Sequence, residues 1–337
     1  MDAGSMSHSR AGRQAGLCLL APAPASVEYV SSMGQTAETG AADSLALNQN
    51  RDSISFVVTA REGLDHAAPN LAAFRSKLHD DDEVIVITGC EPAGAATPAT
   101  GSWFSVVTLP GASAFALRAH VPAVCRKEWV IVLEDHAVIG PRTIDAVREL
   151  IRANPELDLI AFLAKNLTSV SPWGWANFLY NFTPVWAPLD GAPAFAVVTS
   201  AIVRRAKLGG EKPLEEGAWE LQVIPGIFSR GGTASSNDIF FDHVKHLNFA
   251  SALTIAFHNA RAGAALQRKL GIPIRNIVYE GWYCAGPRPR LLAEAASHRM
   301  DEFPARSFGR VRLMGCAHLI GNIVGSFFGG GRSGHKI

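Results

Sequence analysis

The feature of this sequence that most constrains its fold is a series of short, β-branched apolar segments that alternate with helical segments from residue 54 onward. These segments are apolar throughout rather than alternating with polar residues, which indicates strands buried on both faces. Six are predicted as strands: ISFVVT (54–59), EVIVIT (83–88), FSVVTL (104–109), WVIVL (129–133), DLIAFL (158–163) and PAFAVVTS (193–200). Strands that alternate with helices predict an α/β fold whose mostly parallel sheet is covered by helices on both faces.

Helices are predicted where apolar residues recur three and four apart and where prolines or glycines mark the ends. The predicted helices follow Pro69, span Ser113–Val124, run from Pro141 to the Asn154-Pro155 stop, and cover residues 244–270 and 311–328. Residues 171–186 hold six aromatic residues, which favours either core packing or a platform for sugar rings or lipid chains.

Composition narrows the class of protein. The 337 residues carry 31 Lys and Arg against 30 Asp and Glu, a net charge of +1, which argues against a dedicated nucleic-acid-binding protein. Five cysteines with no CxxC pair fit a reducing compartment without a disulfide framework or structural zinc site. Residues 1–50 are predicted to be a flexible leader, and the apolar piece at 16–27 is interpreted as linker rather than as a signal peptide.

Polar residues that follow the predicted strands are the first candidates for a binding site, because ligands of open α/β sheets bind outside the carboxyl ends of the strands. Thr59 and Glu62 follow the first strand, and Thr88 and Gly89 end the second. The most informative group is Glu134-Asp135-His136, directly after the fourth strand. Adjacent carboxylates repel unless a cation neutralises them, so this triplet predicts Mg²⁺ or Mn²⁺ bridging to a diphosphate.

An alternative interpretation of the triplet stays open. On spacing alone, Glu134 and Asp135 are equally suited to capping the next helix or pairing with Arg142. Other motifs are missing: no GxGxxG follows a strand, the glycines from Gly89 to Gly94 lack the Lys-Ser/Thr of a phosphate loop, and neither GxSxG nor HExxH occurs.

The order of these pieces resembles glycosyltransferase family 2, which has the GT-A fold. The resemblance lies in SISFVVTAREG, DEVIVITG, PGASAFALRA, VIVLEDH, SPWGWANFLYNFTP, Gly217–Glu220, FDHVKH and HNARAGAA. The subset of the family with Glu-Asp-His, a proline and then a helix is the most similar. The resemblance covers residues 53–270 and implies a GT-A domain over 51–275.

The resemblance also implies roles for the candidate residues. Asp135 and His136, completed by His243 or His246, would hold Mg²⁺ or Mn²⁺ against the donor diphosphate. Glu220 would be the general base that takes a proton from the acceptor hydroxyl, so that the configuration inverts. The remaining residues would bind the nucleotide and its phosphates: Thr59, Glu62, Gly89, Arg118 and Glu134. Without the resemblance, Glu220 is more typical of a solvated helix acid than of a general base, and a lone histidine is more often structural than a metal ligand.

The sequence departs from the family pattern in several places. The second strand ends in Thr88-Gly89 where the family has Asp, and His136 stands in the third place of the acidic triplet. Glu62 is the acidic residue that the first loop offers, and the QxxRW motif of processive members is missing. A processive synthase is therefore not expected.

The C-terminal segment, residues 276–337, has a different character. From 285 onward it carries eight Lys and Arg against three acidic residues, a net charge of +5. Leu313, Ala317, Ile320, Val324 and Phe327 recur three and four apart and predict an amphipathic helix. The polar residues of this helix, Arg312 among them, argue against a helix that spans a membrane. A basic helix with an apolar face is typical of an anionic membrane surface, while packing on the core or a dimer contact stays open.

The sequence is interpreted as an inverting, metal-assisted glycosyltransferase of the hexosyltransferase type. It is expected to use a nucleotide-diphospho-sugar donor and a saccharide or lipid-linked acceptor, and to lie in the cytoplasm on the inner face of the cell membrane. Two alternatives are a nucleotidyltransferase of similar fold and a sugar- or nucleotide-binding protein without turnover.

Overall fold

The computed structural model describes residues 52–61, 63–90, 103–166, 171–182, 201–209, 223, 227, 232–236, 238–297 and 307–336, with only the backbone at 293–297. The predicted leader, the predicted strand at 193–200, Glu62 and Glu220 lie outside the described residues.

The described residues form ten strands and nine α-helices. The strands are β1 Ile54–Ala60, β2 Glu83–Thr88, β3 Phe104–Thr108, β4 Trp129–Glu134, β5 Ala137–Val138, β6 Leu159–Ala161, β7 Leu163–Asn166, β8 Ala201–Arg204, β9 Thr233–Ala234 and β10 Phe240–His243. The helices are α1 Ala68–Arg75, α2 Ala114–Ala119, α3 Val121–Val124, α4 Pro141–Ala153, α5 Pro172–Phe182, α6 Phe249–Lys269, α7 Ile274–Ala285, α8 Pro287–Ser297 and α9 Ser307–Phe328.

The central sheet has the strand order β3-β2-β1-β4-β8-β6-β9 and is mostly parallel, as the sequence predicts. Among its strands β8 runs opposite to its neighbours β4 and β6. A second sheet, β5-β10-β7, lies past the end of β4 and pairs β10 antiparallel with β5 and parallel with β7. The small sheet therefore places β10 beside the residues that follow β4.

Both faces of the central sheet are covered, which explains the uninterrupted apolar strands. Alternate residues of a strand point to opposite faces. Phe56 of β1 and Ile131 of β4 belong to the larger core, together with Ile144 of α4. Val57 of β1 belongs to the smaller core on the other face, with Leu117 of α2.

Three predicted boundaries need correction. The predicted strand at 158–163 is two strands, because β6 pairs with β8 while β7 pairs with β10, and the chain changes sheets at the buried Phe162. The helix predicted at 113–124 divides at His120, where Pro122 cannot donate a backbone hydrogen bond to the preceding turn. The helix predicted to start at 244 starts at Phe249 instead, because Asn248 and Ser251 form a capping box.

Helices α6, α7 and α9 pack together through glycines of α9. A Cβ built on Gly321 would lie 2.3 Å from the Phe257 carbonyl oxygen of α6. A Cβ on Gly315 would lie 2.1 Å from the Cys284 carbonyl oxygen of α7. These approaches are too close for any side chain, so the glycines set how near the helix backbones lie.

Alanine at Gly321 should therefore separate α9 from α6. We expect Gly321→Ala to lower the free energy of unfolding by about 1–3 kcal/mol through overpacking. Gly263 of α6 is the matched control, because a Cβ there meets nothing within 4 Å. Gly263→Ala should instead stabilise by about 0.5–1 kcal/mol through helix propensity. Urea unfolding of both variants measures the difference, and equal shifts in the same direction would contradict the packing.

Candidate functional site

The carboxyl ends of the three adjacent strands β2, β1 and β4 meet at one edge of the central sheet. Thr59 of β1 pairs in register with Glu134 of β4, and Ala60 pairs with Thr88 of β2. Gly89 follows immediately, and its carbonyl oxygen accepts a hydrogen bond of 3.1 Å from the amide of Gly111. The sheet therefore brings Thr59, Gly89 and Glu134 to one edge.

Glu134 ends the buried strand β4 and forms an ion pair with Arg118 of α2. Both side chains are largely buried, and the Arg118 guanidinium also lies over the Phe115 ring at 5.4 Å. Burial alone would raise the pKa of Glu134, but Arg118, His136 and Lys245 outweigh it and hold the pKa well below its ordinary value. Glu134 is therefore ionised, and Arg118 of α2 orients its side chain.

His136 lies between two carboxylates. Its Nε2 is 2.9 Å from a Glu134 oxygen, and its Nδ1 is 3.0 Å from Asp135 Oδ1. Burial would lower the pKa of His136, but the charge of Glu134 and the hydrogen bonds to both carboxylates raise it. The triplet is thus a connected cluster in which the imidazolium form of His136 is favoured.

His243 completes this cluster from the second sheet. It pairs in register with Ala137, and the amide of Val244 donates to the His136 carbonyl oxygen at 2.9 Å. The His243 and His136 rings meet edge to face, with centroids 5.3 Å apart. Burial, then His136 and Lys245, lower the pKa of His243 well below its ordinary value, so its ring is neutral.

Two residues that the sequence interpretation missed support the site. Asn70 of α1 is fully buried, donates to the Ala137 carbonyl oxygen at 2.8 Å and accepts from the Ile139 amide at 3.1 Å. It fixes the chain just after the triplet. Lys245 lies close enough to influence the charges of Glu134, His136 and His243. The sequence offered no indication of Asn70, whereas Lys245 lies within the quoted FDHVKH segment, two residues after His243.

The aromatic segment serves largely as core. Phe178 and Phe182 of α5 are buried, and Phe182 packs on His243 with ring centroids 4.8 Å apart. Trp173 and Trp175 are half-buried, and Trp186 lies outside the described residues. The described part of the segment therefore belongs to the core that packs against the His243 ring.

The chemistry of these donors fits a divalent cation only in part. Among the described residues, no three His, Cys, Asp or Glu side chains are arranged as a metal site. Glu134 pairs with Arg118, and both ring nitrogens of His136 face carboxylates. Mg²⁺ and Mn²⁺, however, need only one or two protein carboxylates when substrate phosphates and water supply the other ligands. Asp135 satisfies that requirement.

No protein-family model and no curated protein matches this chain. Solved structures do match it. The mannosyltransferase PcManGT from Pyrobaculum calidifontis, in complex with GDP-Man and Mn2+, has 16% identity and a TM-score of 0.51 over 82% of this chain and 87% of its own. S. aureus TarS 1-349 in complex with UDP-GlcNAc has 13% identity and a TM-score of 0.44 over 80% and 90%. The first likeness shows the fold, which is the GT-A fold that the sequence predicts.

Removal of the arginine tests how the site is held together. Arg118→Met should lower the free energy of unfolding by about 3–5 kcal/mol at neutral pH, because it leaves a buried carboxylate without its partner. Because folding lowers the pKa of Glu134 below its ordinary value of 4.5, the ionised carboxylate stabilises the folded state fully at pH values above 4.5. That stabilisation is lost as the pH falls from 4.5 through the lower pKa of the folded state. The difference between wild type and variant should therefore shrink as the pH falls below 4.5.

The exposed Arg142 provides the control. Arg142→Met removes the same charge from the start of α4 and should change stability by no more than about 0.5 kcal/mol. Chemical denaturation at several pH values measures both variants. An Arg118→Met protein as stable as the control would contradict the ion pair.

Proposed function

We propose that this protein is a glycosyltransferase that moves a sugar from a nucleotide-diphospho-sugar to an acceptor hydroxyl. The observation that carries the proposal is the Glu134-Asp135-His136 cluster at the carboxyl end of the central strand of a GT-A fold. Thr59 and Gly89 lie at the same edge, where open α/β sheets bind their ligands. The likeness to a mannosyltransferase supports the same conclusion at the level of fold.

In this proposal Asp135 holds Mg²⁺ or Mn²⁺ together with the donor phosphates, and His136 and His243 stand beside it. The ion supplies charge neutralisation for the leaving diphosphate. Arg118 and Lys245 add fixed positive charge next to the carboxylates, and Glu134 orients Arg118. Thr59, Gly89 and Glu62 contribute contacts to the nucleotide.

Glu220 is the proposed general base. A general base needs apolar neighbours that raise its pKa toward the working pH, and Trp219 is adjacent to Glu220 in the sequence. The base accepts the proton of the acceptor hydroxyl while that oxygen attacks the anomeric carbon from the face opposite the nucleotide, and the configuration inverts.

A pair of variants separates donor binding from transfer. Asp135→Ala should abolish the Mn²⁺-dependent binding of the donor while the protein stays folded. Glu220→Gln should bind the donor normally but transfer sugar about 10²–10⁴-fold more slowly, because a base acts in the transition state. GDP-mannose is the first donor to test, since the mannosyltransferase neighbour binds it. Thermal shift with and without Mn²⁺ measures binding, and release of nucleoside diphosphate measures transfer.

Glu216→Gln is the matched control for the base, because it changes the same side chain four residues earlier. If both glutamine variants lower the rate of transfer by the same small factor, Glu220 is a surface acid and not the base. Unchanged donor affinity in Asp135→Ala would contradict the metal assignment. Release of pyrophosphate instead of nucleoside diphosphate would identify a nucleotidyltransferase, and donor binding without turnover a binding protein.

We also propose that the protein acts at the inner face of the cell membrane, through an apolar surface on α9. This helix has 22 residues and contains an 18-residue window with a mean hydropathy of 1.3, which is long and apolar enough to cross a membrane by length and composition only. Its glycine face packs on α6 and α7, whereas Leu313, Ile320 and Phe327 are 47%, 55% and 61% exposed. A helix with one packed and one exposed apolar face suits a peripheral position, and the charge of +5 in residues 285–337 favours anionic lipids.

Substitution of the exposed stripe tests this position better than deletion of α9, which would uncover α6 and α7. A Leu313→Gln/Ile320→Gln/Phe327→Gln variant should bind anionic vesicles at least tenfold more weakly, since each inserted side chain contributes about 1.5–3 kcal/mol. High salt should weaken the wild type only in part, because the apolar contact does not depend on charge. Trp103→Gln, an exposed apolar residue before β3, is the control. Equal vesicle binding by both variants would rule out the α9 surface.

A further inference from the structure

A concave site lies at the edge of the central sheet opposite the Glu134 cluster, where β1 and β4 begin and the antiparallel β8 ends. It is a cleft of about 430 Å³ lined by Ser53, Arg126, Lys127, Glu128, Arg204 and Arg205. Trp129 of β4 pairs in register with Arg204 of β8, which brings the two basic segments side by side. At 3.3 Å per residue, the length of β4 separates this cleft from the Glu134 cluster by about 17 Å.

The cleft has a large excess of positive charge. Four cationic side chains line it against one carboxylate, Glu128. Glu128 is already engaged in an ion pair with Arg204, whose guanidinium also stacks on the Trp129 ring at 4.6 Å. Arg126, Lys127 and Arg205 form no ion pair with a carboxylate in the part of the chain that the structure describes. Three positive charges therefore lie around one cavity, and no described residue supplies an anion that pairs with them.

The backbone that carries these cations is held rigidly. The amide of Arg126 donates to the buried carboxylate of Glu83 at 2.7 Å, and the amide of Lys127 donates to Ser55 Oγ at 3.2 Å. The amide of Arg205 donates to the Glu128 carbonyl oxygen at 2.7 Å. Arg205 Nη1 donates to the Cys125 carbonyl oxygen at 3.1 Å, which orients the guanidinium. The positions of the charges are set by the ends of β1, β2 and β4 rather than by a freely moving loop.

We infer that this cleft binds a phosphate-bearing anion, as a site separate from the donor site. Its volume falls in the range of small-molecule pockets. Guanidinium groups donate paired hydrogen bonds to phosphate, and lysine adds a point charge. An anion with two or more phosphate charges would balance Arg126, Lys127 and Arg205. Such an anion is either dissolved in the cytoplasm or part of a lipid headgroup, and the two sources share the same chemistry.

Binding of inorganic pyrophosphate tests the cleft, measured by calorimetry at about 0.15 M ionic strength to suppress non-specific attraction. Arg126→Gln/Lys127→Gln removes two cations whose side chains form no hydrogen bond or ion pair with the described residues. It should weaken pyrophosphate binding roughly tenfold or more, because each lost charged hydrogen bond costs about a factor of ten. Asp135→Ala should keep this binding, which separates the cleft from the donor site.

The charge-matched control is Arg75→Gln/Arg142→Gln, which removes two exposed arginines from α1 and α4. It should bind pyrophosphate as the wild type does. Phosphatidylcholine vesicles with and without phosphatidic acid then identify the source. If Arg126→Gln/Lys127→Gln binds vesicles with phosphatidic acid more weakly than Arg75→Gln/Arg142→Gln does, the natural ligand is a lipid headgroup. If the two double variants bind these vesicles equally, the natural ligand is a dissolved anion. Absence of saturable pyrophosphate binding in the wild type, or equal loss in both pairs, would overturn the inference.

Discussion

The ion pair between Glu134 and Arg118 is the interaction on which the candidate active site depends. Glu134 ends a strand that is buried on both faces, and a buried carboxylate is costly unless a cation and hydrogen bonds compensate it. Arg118 comes from α2, so the pair ties that helix to the end of the central strand. The other Glu134 oxygen then meets His136, which in turn contacts Asp135. The orientation of the whole triplet follows from neutralising one buried charge.

Strand direction explains why polar chemistry concentrates at the two edges of the sheet. The interior of a sheet covered on both faces accepts apolar side chains, so charged residues lie where the strands end. At the carboxyl edge the parallel strands β1, β2 and β4 bring Thr59, Thr88 and Glu134 together, and Arg118 of α2 pairs with Glu134 there. At the other edge the antiparallel β8 returns the chain beside the start of β4, so Arg204 and Arg205 join Arg126 and Lys127. One antiparallel strand thereby assembles a cationic cleft from distant segments.

The parts of the fold that were predictable are those with a strong local pattern. The strands β1, β2, β3 and β4 and the helix after Pro141 are recognisable from composition and spacing, and the structure confirms them. Burial on both faces holds for β1, β2 and β4 but not for β3, which is an edge strand with four of its five residues partly or fully exposed. The change of sheets at Phe162 was not predictable, because residues on either side of it are equally apolar and the partners are distant in sequence. The adjacency of Glu134 and His136 could be inferred from their positions. The contributions of Asn70 and Lys245 could not, because they arise only from tertiary contacts.

Helix α9 shows why hydrophobic periodicity does not by itself identify a buried face. Leu313, Ile320 and Phe327 recur along it and are exposed, whereas the packed face contains Gly315, Gly321 and Gly325 beside the buried Val311 and Met314. Glycine contributes little apolar area, but it lets helix backbones approach until many atoms are in van der Waals contact. Packing thus requires the small residues, and among the described residues none covers Leu313, Ile320 and Phe327, which stay exposed. Exposed apolar side chains of this size mark interaction surfaces more often than they stabilise a monomer, and this is the reason for the proposal that a membrane surface covers them.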